Sequence, residues 1–282
     1  MIRPLVPCLS IALSIFAGFA HAEPIEVTQR SISTTFQTQT VNENGKIVTV
    51  KVPVTTAHNS KRELDPTKTA VVICDMWDDH WCKSAAERCG KLAKEAAPVV
   101  VAARRAGMTI IHCPSDTMDY YKESKARQRA KDAKKIEPPK PKEIVAPALP
   151  IDDSDGGCDD AVPAKFFKAW THQHEAIPVD ETQDYVTDNG GEVYNILRDR
   201  GVTTVILMGV HTNMCVLNRS FAIKQLRKWD VDCLLVRDLT DAMYNPKKKP
   251  FVEHAAGTQL VIQHIEQYWC PSIESKDLIG KK

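Results

Sequence analysis

The segment Val202-Thr-Thr-Val-Ile-Leu-Met-Gly-Val210, followed by His211-Thr-Asn-Met-Cys215, decides the fold prediction. Its continuous apolar run is typical of a strand that is buried on both faces of a parallel sheet. A second such run, Val71-Val-Ile-Cys74, ends at Asp75. Helical patterns separate the apolar runs, and strands that alternate with helices imply right-handed crossover connections. We therefore predict a three-layer α/β/α fold with a mostly parallel, doubly wound sheet.

The rest of the chain supplies further elements of the same kind. Strands are predicted at 108–113, 175–179, 231–236 and 260–265, of which 175–179 is the weakest. Helices are predicted at 85–105, 192–200 and 214–228. The length of 282 residues and the 43 % hydrophobic composition suit one large α/β domain with small additions.

The N-terminal part of the mature chain has a different pattern. Residues 25–57 alternate β-favouring and polar residues, and Asn42-Glu-Asn-Gly-Lys46 lies between the two halves. This arrangement predicts a β-hairpin. We accordingly expect an N-terminal β addition at 23–65 and a main domain at 66–282.

The first 22 residues are predicted to form a signal peptide. Arg3 provides a positive start, the run from Leu9 to Ala20 is nearly all apolar, and small residues precede a cleavage site after Ala22. The alternative is a membrane anchor, but spanning the bilayer needs about 20 apolar residues and this run is shorter. We expect an exported protein, periplasmic or secreted, that is not membrane-bound after cleavage.

Charge is balanced overall but segregated within one predicted insertion. The formal net charge of +1 gives no general attraction for nucleic acid or anionic membranes, so neither partner is predicted. In the insertion, at about 120–165, the run from Lys122 to Lys142 is basic and residues 151–160 are acidic. It could be a lid or interaction arm over a site, or a solvated loop. The acidic run lacks the full spacing and the distal Glu of an EF-hand calcium loop.

Nine cysteines are present, and eight remain once Cys8 leaves with the signal peptide. An oxidising compartment permits disulfides. Cys82 and Cys89 look like a pair, but within one helix their Cα atoms would lie about 10 Å apart, too far for a bridge. A bridge there would need an irregular segment before the helix, and the connectivity stays open. Three others lie in apolar strand-like runs, where buried thiols are common: Cys74, Cys113 and Cys233.

Reactive side chains follow the predicted strands at their carboxyl ends, where ligands collect in an open parallel sheet. Asp75 follows the first strand, and His112 and Ser115 close or follow the second. Cys215 follows the fourth strand and begins a predicted helix, whose dipole favours thiolate and whose N–H groups can hold an oxyanion. Asp75 can take the thiol proton. Each residue alone could have a purely structural role. A cysteine near a helix start is often a small packing residue, and an aspartate at a strand end often caps the next helix.

In combination, the motifs resemble those of the isochorismatase-like cysteine hydrolases. The shared stretches are Ala70-Val-Val-Ile-Cys-Asp75, Val205-Ile-Leu-Met-Gly-Val-His-Thr-Asn-Met-Cys-Val216 and Cys233-Leu-Leu-Val-Arg-Asp-Leu-Thr-Asp-Ala242. The resemblance covers about residues 66–270. It implies that a small-molecule substrate loses an amide or vinyl-ether-type bond, with a thioester on the cysteine in amide-cleaving members. It also implies a homo-oligomer.

The same resemblance assigns the site residues. Cys215 would be the nucleophile and Asp75 its base. By analogy the peptide bond before His211 is cis, and the N–H groups of His211 and Cys215 form an oxyanion hole, so His211 counts as catalytic. Substrate contacts are expected from Trp77, His112, Thr212 and Asn213. Trp77 and Trp81 could equally pack under the N-terminal addition.

One departure from the family pattern concerns the third catalytic residue, a Lys that closes the third strand. No Lys occurs between Lys168 and Lys224. Either Lys165 or Lys168 reaches in, or a histidine substitutes, or the triad is incomplete. The histidines considered are His172, His174 and His211.

Neither a metal nor another cofactor is predicted. Asp78, His80 and His112 could converge beside Asp75, and nicotinamidase members of the family hold a zinc near their site. Those members carry an Asp-x-His motif after the second strand, which is not found in Cys113-Pro-Ser-Asp-Thr-Met118.

Two other functions compete with hydrolysis. A catalytically silent relative could bind a ligand or partner through the same pocket; the missing Lys supports it, and the charged insertion would be its contact surface. A thiol-disulfide oxidoreductase is disfavoured, because the chain has no Cys-x-x-Cys motif.

Overall fold

A sheet of eight strands runs through the computed structural model, which describes residues 22–43 and 46–279. The strands are β1 Ile25–Glu43, β2 Lys46–Leu64, β3 Thr69–Cys74, β4 Thr109–Cys113, β5 Tyr185–Val186, β6 Thr204–Val210, β7 Asp232–Asp241 and β8 Ser272–Ile273. Their order across the sheet is β2-β1-β8-β7-β6-β3-β4-β5. Strands β3 to β8 pair in parallel, and β1 is antiparallel to both of its neighbours.

Helices cover both faces of this sheet. They are α1 Lys83–Arg105, α2 Lys125–Asp132, α3 Gly190–Asp199, α4 Cys215–Asn218, α5 Ile223–Lys228, α6 His254–Tyr268 and α7 Lys276–Ile279. Helices α1 and α7 share one core with Val71 and Ile73. Helices α3, α5 and α6 share the opposite core with Val72 and Leu207. Strands buried from both sides confirm the predicted three-layer α/β/α fold.

The predicted hairpin is present, as β1 and β2. The two strands pair from Ile25 opposite Leu64 to Glu43 opposite Lys46. Strand β1 joins the main sheet through Arg30 opposite Ser272. Arg30 also forms an ion pair with Glu266 of α6, with Nε and Oε1 2.8 Å apart. The base of the hairpin is therefore fixed to the domain.

Two predicted strands are wrong. Residues 175–179 form a turn, in which the N–H of Ile177 donates to the carbonyl of His174, and Pro178 has no N–H for a strand ladder. The strand beside β4 is instead the two-residue β5. Residues 260–265 lie in α6, where Val261, Ile262 and Ile265 are buried on one helical face, and the last strand is β8. The apolar, β-branched residues of this segment recur at helical spacing, so a short run of them suits a buried helix as well as a strand.

The helix predicted at 214–228 is broken into α4 and α5. Arg219 ends α4 with an extended ψ of 155°, and Ala222, also extended, precedes α5. Between them Phe221 is fully buried in the core. The break turns the Arg219 side chain toward the carboxyl edge of the sheet.

The disulfide connectivity that the sequence leaves open does not join Cys82 to Cys89. Cys82 precedes the first residue of α1 and forms a disulfide with Cys158 of the insertion. Cys89 lies inside α1 as a buried free thiol. A position within the helix cannot reach back to its start, and the irregular acidic run brings Cys158 there instead.

The signal peptide predicted at 1–22 lies almost entirely outside the described residues. Over the ranges 22–43 and 46–279, none of the helices combines the length and the apolar character needed to cross a membrane.

Candidate active site

Three adjacent strands end at the same edge and bring the predicted catalytic residues together. Strand β3 lies between β4 and β6, with Cys74 paired to both Cys113 and Gly209. Gly209 has φ +120°, and a Cβ there would lie 2.0 Å from the Cys74 carbonyl oxygen. Only glycine lets the two strands approach so closely at this point. Asp75 and the loop that leads to Cys215 therefore meet.

Asp75 is fully buried directly after β3, with a positive φ of 46°. Its Oδ1 accepts the Ser115 N–H at 2.7 Å, and its Oδ2 accepts the Arg219 Nε–H at 2.9 Å. The Cys215 thiol lies close enough to the carboxyl for each group to influence the pKa of the other. Burial raises the pKa of Asp75, and the Arg219 guanidinium is the largest opposing influence. The predicted base and the predicted nucleophile are therefore neighbours.

Arg219 is the cation beside Asp75 that sequence reasoning did not find. It lies four residues after Cys215, and its guanidinium also approaches Asp116, with Nη2 3.6 Å from Oδ2. Lys168, one of the candidates, instead donates to the carbonyl oxygen of Asp116. His172 pairs with Asp78. Of these cations, only Arg219 contacts the Asp75 carboxylate in the described part of the chain.

Cys215 is the first residue of α4, and the residue is half-buried. Burial raises its pKa to about 12, and the charge of Asp75 adds to the rise. Burial therefore outweighs the expected preference of a helix start for thiolate. The resting group is a thiol.

The peptide bond between Val210 and His211 is cis, as predicted. The backbone N–H of His211 lies near the Cys215 sulfur and lowers the pKa of the thiol. The His211 carbonyl oxygen accepts the N–H of Met214 at 3.0 Å and of Val216 at 3.2 Å. These bonds fold the loop tightly around the sulfur. An oxygen atom of a carbonyl under attack by this sulfur would lie close to the His211 N–H.

Thr212 and Asn213 hold this loop in place, and Asn213 also lines an open cavity that borders Cys215 and Arg219. The Thr212 N–H donates to the carbonyl oxygen of Asp241 at 2.8 Å. The Asn213 side chain donates to Asp153 Oδ2 at 2.7 Å and accepts the Met243 N–H at 2.8 Å. Asn213 thus ties the loop both to the insertion and to the segment after β7.

A cavity of about 330 Å³ opens beside Cys215. Most of its lining is aromatic or sulfur-containing. The lining residues are Trp77, His80, Trp81, Asp116, Gly156, Phe166, Trp170, His211, Met214, Cys215, Arg219 and Met243. Trp77, predicted to contact substrate, is therefore in the wall, where its ring stacks on Trp170 with centroids 4.2 Å apart.

His112 lies beneath the site rather than on the cavity wall. It is fully buried, its Nε2 is 3.0 Å from Asp184 Oδ2, and its Nδ1 is 3.1 Å from Gln173 Oε1. Arg104 pairs with the same Asp184 carboxylate, with Nη2 and Oδ2 2.6 Å apart. Both ring nitrogens of His112 are therefore occupied within the protein, and the contact with substrate stays a prediction.

The residues considered for a metal do not come together as one ligand set. Asp78 accepts hydrogen bonds from Thr171 and His172, and His112 is occupied as described. Among the described residues, metal-like spacing occurs at Cys82, Cys158 and Asp160, but the two sulfurs are joined as a disulfide. These donors do not fit a metal centre.

Several site residues had no signal in the sequence. Arg219 lies where α4 ends, at a helix break that periodicity does not reveal. Phe166 and Trp170 belong to the long connection between β4 and β5, where no motif marked them. His80 was considered only as a metal ligand, yet its ring faces His211 edge-on at 5.1 Å.

The chain is similar to a cysteine hydrolase from Pseudomonas syringae pv. phaseolicola 1448A, at 16 % identity and a TM-score of 0.48, covering 77 % of this chain and 92 % of that one. An isochorismatase family protein from Burkholderia thailandensis gives 16 % identity and a TM-score of 0.43, covering 77 % and 95 %. No curated protein matches the chain significantly. The sequence profile of the Isochorismatase domain matches residues 69–266, more than two thirds of the chain. The chain belongs to the isochorismatase family.

Proposed function

We propose that the protein hydrolyses the C–N bond of a small amide, or a related C–N or vinyl-ether bond, with Cys215 as nucleophile. The observation that carries the proposal is the buried Asp75 carboxyl, which lies beside the Cys215 thiol and pairs with Arg219. A thiol with so high a pKa is a poor nucleophile until a base takes its proton. Asp75 would be that base.

The reaction would run in two stages. Asp75 takes the thiol proton as the sulfur attacks the carbonyl carbon, and the N–H groups of His211 and Cys215 stabilise the oxyanion. Asp75 then gives the proton to the departing nitrogen, and the C–N bond breaks to leave a thioester. In the second stage Asp75 takes a proton from water, which attacks the thioester. The acid leaves and the proton returns to the Cys215 sulfur.

Arg219 would keep Asp75 usable as a base. A buried carboxyl without a nearby cation binds its proton too tightly to accept another. The guanidinium, 2.9 Å away, favours the ionised carboxylate. The same role would fall to the Lys of other family members.

We further propose that this chemistry takes place outside the cytoplasm, in a homo-oligomer. Export is supported by the N-terminal sequence and by the Cys82–Cys158 disulfide, since such bridges persist in oxidising compartments. The oligomer rests on family resemblance.

Replacing the nucleophile and the base tests the proposal. We expect Cys215→Ala to lower turnover of a small-amide panel by about 10³-fold or more, and Asp75→Asn by about 10²- to 10⁴-fold. Ammonia release from the purified mature protein is the measurement. Cys89→Ala, which removes another buried free thiol, is the matched control and should keep its activity.

Activity of Cys215→Ala close to that of the wild type would contradict the proposal. If the wild type and Cys215→Ala both bind a ligand and the wild type releases no ammonia, the result would favour a catalytically silent relative that binds a ligand through this pocket. Circular dichroism of each variant separates lost chemistry from lost folding.

A further inference from the structure

The hairpin of β1 and β2 reaches far beyond the contacts that attach it to the domain. Each strand has 19 residues, so at about 3.3 Å per residue the hairpin is about 60 Å long. Besides the Arg30 ion pair, its first half is held by Gln267 of α6, which donates to the Thr34 hydroxyl at 2.6 Å. Residues 35–40 of β1, by contrast, are all exposed. We call the outer half of the hairpin, residues 35–41 and 48–54, the arm.

One face of the arm is apolar along β2. Alternate residues of a strand point to the same face, and valines occupy four alternate positions of β2. All four are half-buried, whereas the residues between them are exposed. None of the valines or of their partners on β1 is charged. We call these eight residues the valine face: Val48, Val50, Val52 and Val54, paired with Val41, Gln39, Gln37 and Thr35.

The valine face calls for a second layer. A strand that alternates apolar and polar residues is typical of a sheet that buries one face, and a hairpin of two strands alone is at best marginally stable in water. The opposite face of the hairpin is the one that meets the domain, where Ile32, Phe36 and Pro53 line a groove with Tyr268 of α6. The valine face is therefore left for a partner.

The backbone edge of β2 is less suited to a partner than this face. Strand β2 lies at one edge of the eight-stranded sheet. It contains Pro53, which has no N–H to donate, and the exposed Lys51 and Lys61. Proline and lysine on an edge strand typically prevent another strand from pairing with it. We therefore expect the partner to pack on the face of the arm rather than to extend the sheet.

A second copy of the valine face matches these properties. Two uncharged faces do not repel each other, whereas a nucleic acid or another highly charged partner would find no opposite charge there. Stacked sheets lie about 10 Å apart with interdigitating side chains. The face is about 24 Å long and about 10 Å wide, so stacking two copies buries on the order of 1,000 Å², which reaches the lower limit for a specific interface.

We infer that two copies of the chain associate arm on arm through their valine faces, about a two-fold axis. This inference rests on the proposed homo-oligomer and adds the surface that joins the copies. The same patch then serves both partners, as two-fold symmetry requires. Strands β8 and β7 separate β1 from β6, so the association leaves the site around Cys215 in each copy unchanged.

Adjacent residues on opposite faces of β2 test the surface. Val50→Lys places a charge on the valine face, and Thr49→Lys places the same charge on the exposed opposite face. The measurement is sedimentation of the purified mature protein between about 1 and 100 μM, which covers weak to moderate association. Val50→Lys should raise the dissociation constant about 10-fold or more and so halve the particle mass, because a buried unpaired ammonium is costly. Thr49→Lys should change it less than about twofold.

Crosslinking tests the arrangement without placing a charge in the face. Gln39→Cys lies near the centre of the valine face, and Thr38→Cys lies on the opposite face. Both are made in the Cys215→Ala background, which removes the half-buried native thiol. A bismaleimide that spans about 10 Å, the separation of stacked sheets, should join two Gln39→Cys copies and leave Thr38→Cys mostly unlinked.

The outcomes distinguish this inference from the proposals on which it builds. If the wild type is an oligomer whose mass Val50→Lys does not change, the inference is overturned and the homo-oligomer proposal stands. If the wild type is a monomer and Gln39→Cys is not crosslinked, both fail and the face serves another partner. Equal crosslinking of Gln39→Cys and Thr38→Cys also overturns the inference. Ammonia release is measured separately, so its absence contradicts the hydrolase proposal alone.

Discussion

Two opposing influences determine the pKa of the Asp75 carboxyl. Burial raises its pKa, whereas Arg219 and the Ser115 N–H favour the ionised carboxylate. Ionisation matters because only the carboxylate can accept the Cys215 proton. The charge on residue 219 should therefore set how far activity extends toward low pH.

Arg219→Gln removes the positive charge while keeping a polar side chain. Without the guanidinium the pKa of Asp75 rises further, so the base is protonated over more of the acidic range. We expect the acidic limb of the kcat/KM profile to move upward by about 1 pH unit or more, with lower activity at neutral pH. The measurement is amide turnover across the pH range.

Arg219→Lys is the matched control, since it retains a cation at the same position. It should restore most of the acidic limb, although one ammonium cannot reproduce the two-sided contact with Asp75 and Asp116. An acidic limb that stays in place in Arg219→Gln would show that Arg219 does not govern the base.

At the scale of elements, the site depends on how a long irregular segment is fastened to a helix. The disulfide joins Cys82 to Cys158 across 76 positions in sequence. Arg88, one turn into α1, pairs with Asp159 and Asp241, with its nitrogens 2.9 Å and 2.8 Å from their oxygens. Gly156, two residues before Cys158, lines the cavity. Substrate binding should therefore respond to the bridge.

We expect the double variant Cys82→Ser with Cys158→Ser to lose about 2–4 kcal/mol of unfolding free energy, because the unfolded chain is no longer constrained. KM for the best amide should rise more than kcat falls, since the bridge holds a wall of the cavity and none of the reacting atoms. Urea unfolding and steady-state kinetics measure the two effects.

Reductant provides the control for that experiment. It should bring the wild type to the stability of the double variant and leave the double variant unchanged. A double variant with wild-type stability and KM would show that hydrogen bonds alone hold the insertion.

Continuous apolar runs made the central sheet predictable, because β3 and β6 are buried on both faces. Asp75 could be placed because it directly follows β3, and Cys215 because it follows β6 after a short loop. The break at Arg219 could not, since it depends on burying Phe221 rather than on a local turn signal. The partner of Cys82 also depends on a path of 76 positions that local patterns do not encode.

At the scale of the whole molecule, buried histidines should make the fold sensitive to acid. Burial lowers the pKa of His80 to about 4 and that of His211 to about 3, from an ordinary value of 6.5. At a pH between 6.5 and these lowered pKa values, the two histidines are protonated in the unfolded chain and neutral in the folded chain. Stability must therefore fall as the pH falls from 6.5 toward 4. His254 has the opposite effect on stability, because its hydrogen bond to Asp241 raises its pKa. The stability that protonated His254 contributes is lost as the pH rises above 6.5.

His80→Asn tests this account with little other change, because the Asn oxygen can still accept the Cys82 N–H that His80 Nδ1 accepts at 3.2 Å. The variant lacks the titrating ring, so it should lose less stability on acidification than the wild type. Moving from pH 7 to pH 4.5, we expect the difference to be on the order of 2–3 kcal/mol in unfolding free energy. Urea unfolding at the two pH values measures it.

His58→Asn, on the exposed part of β2, is the control and should follow the wild type. The carboxylates are the same in both proteins, so equal losses in His80→Asn and the wild type would show that folding does not lower the pKa of His80.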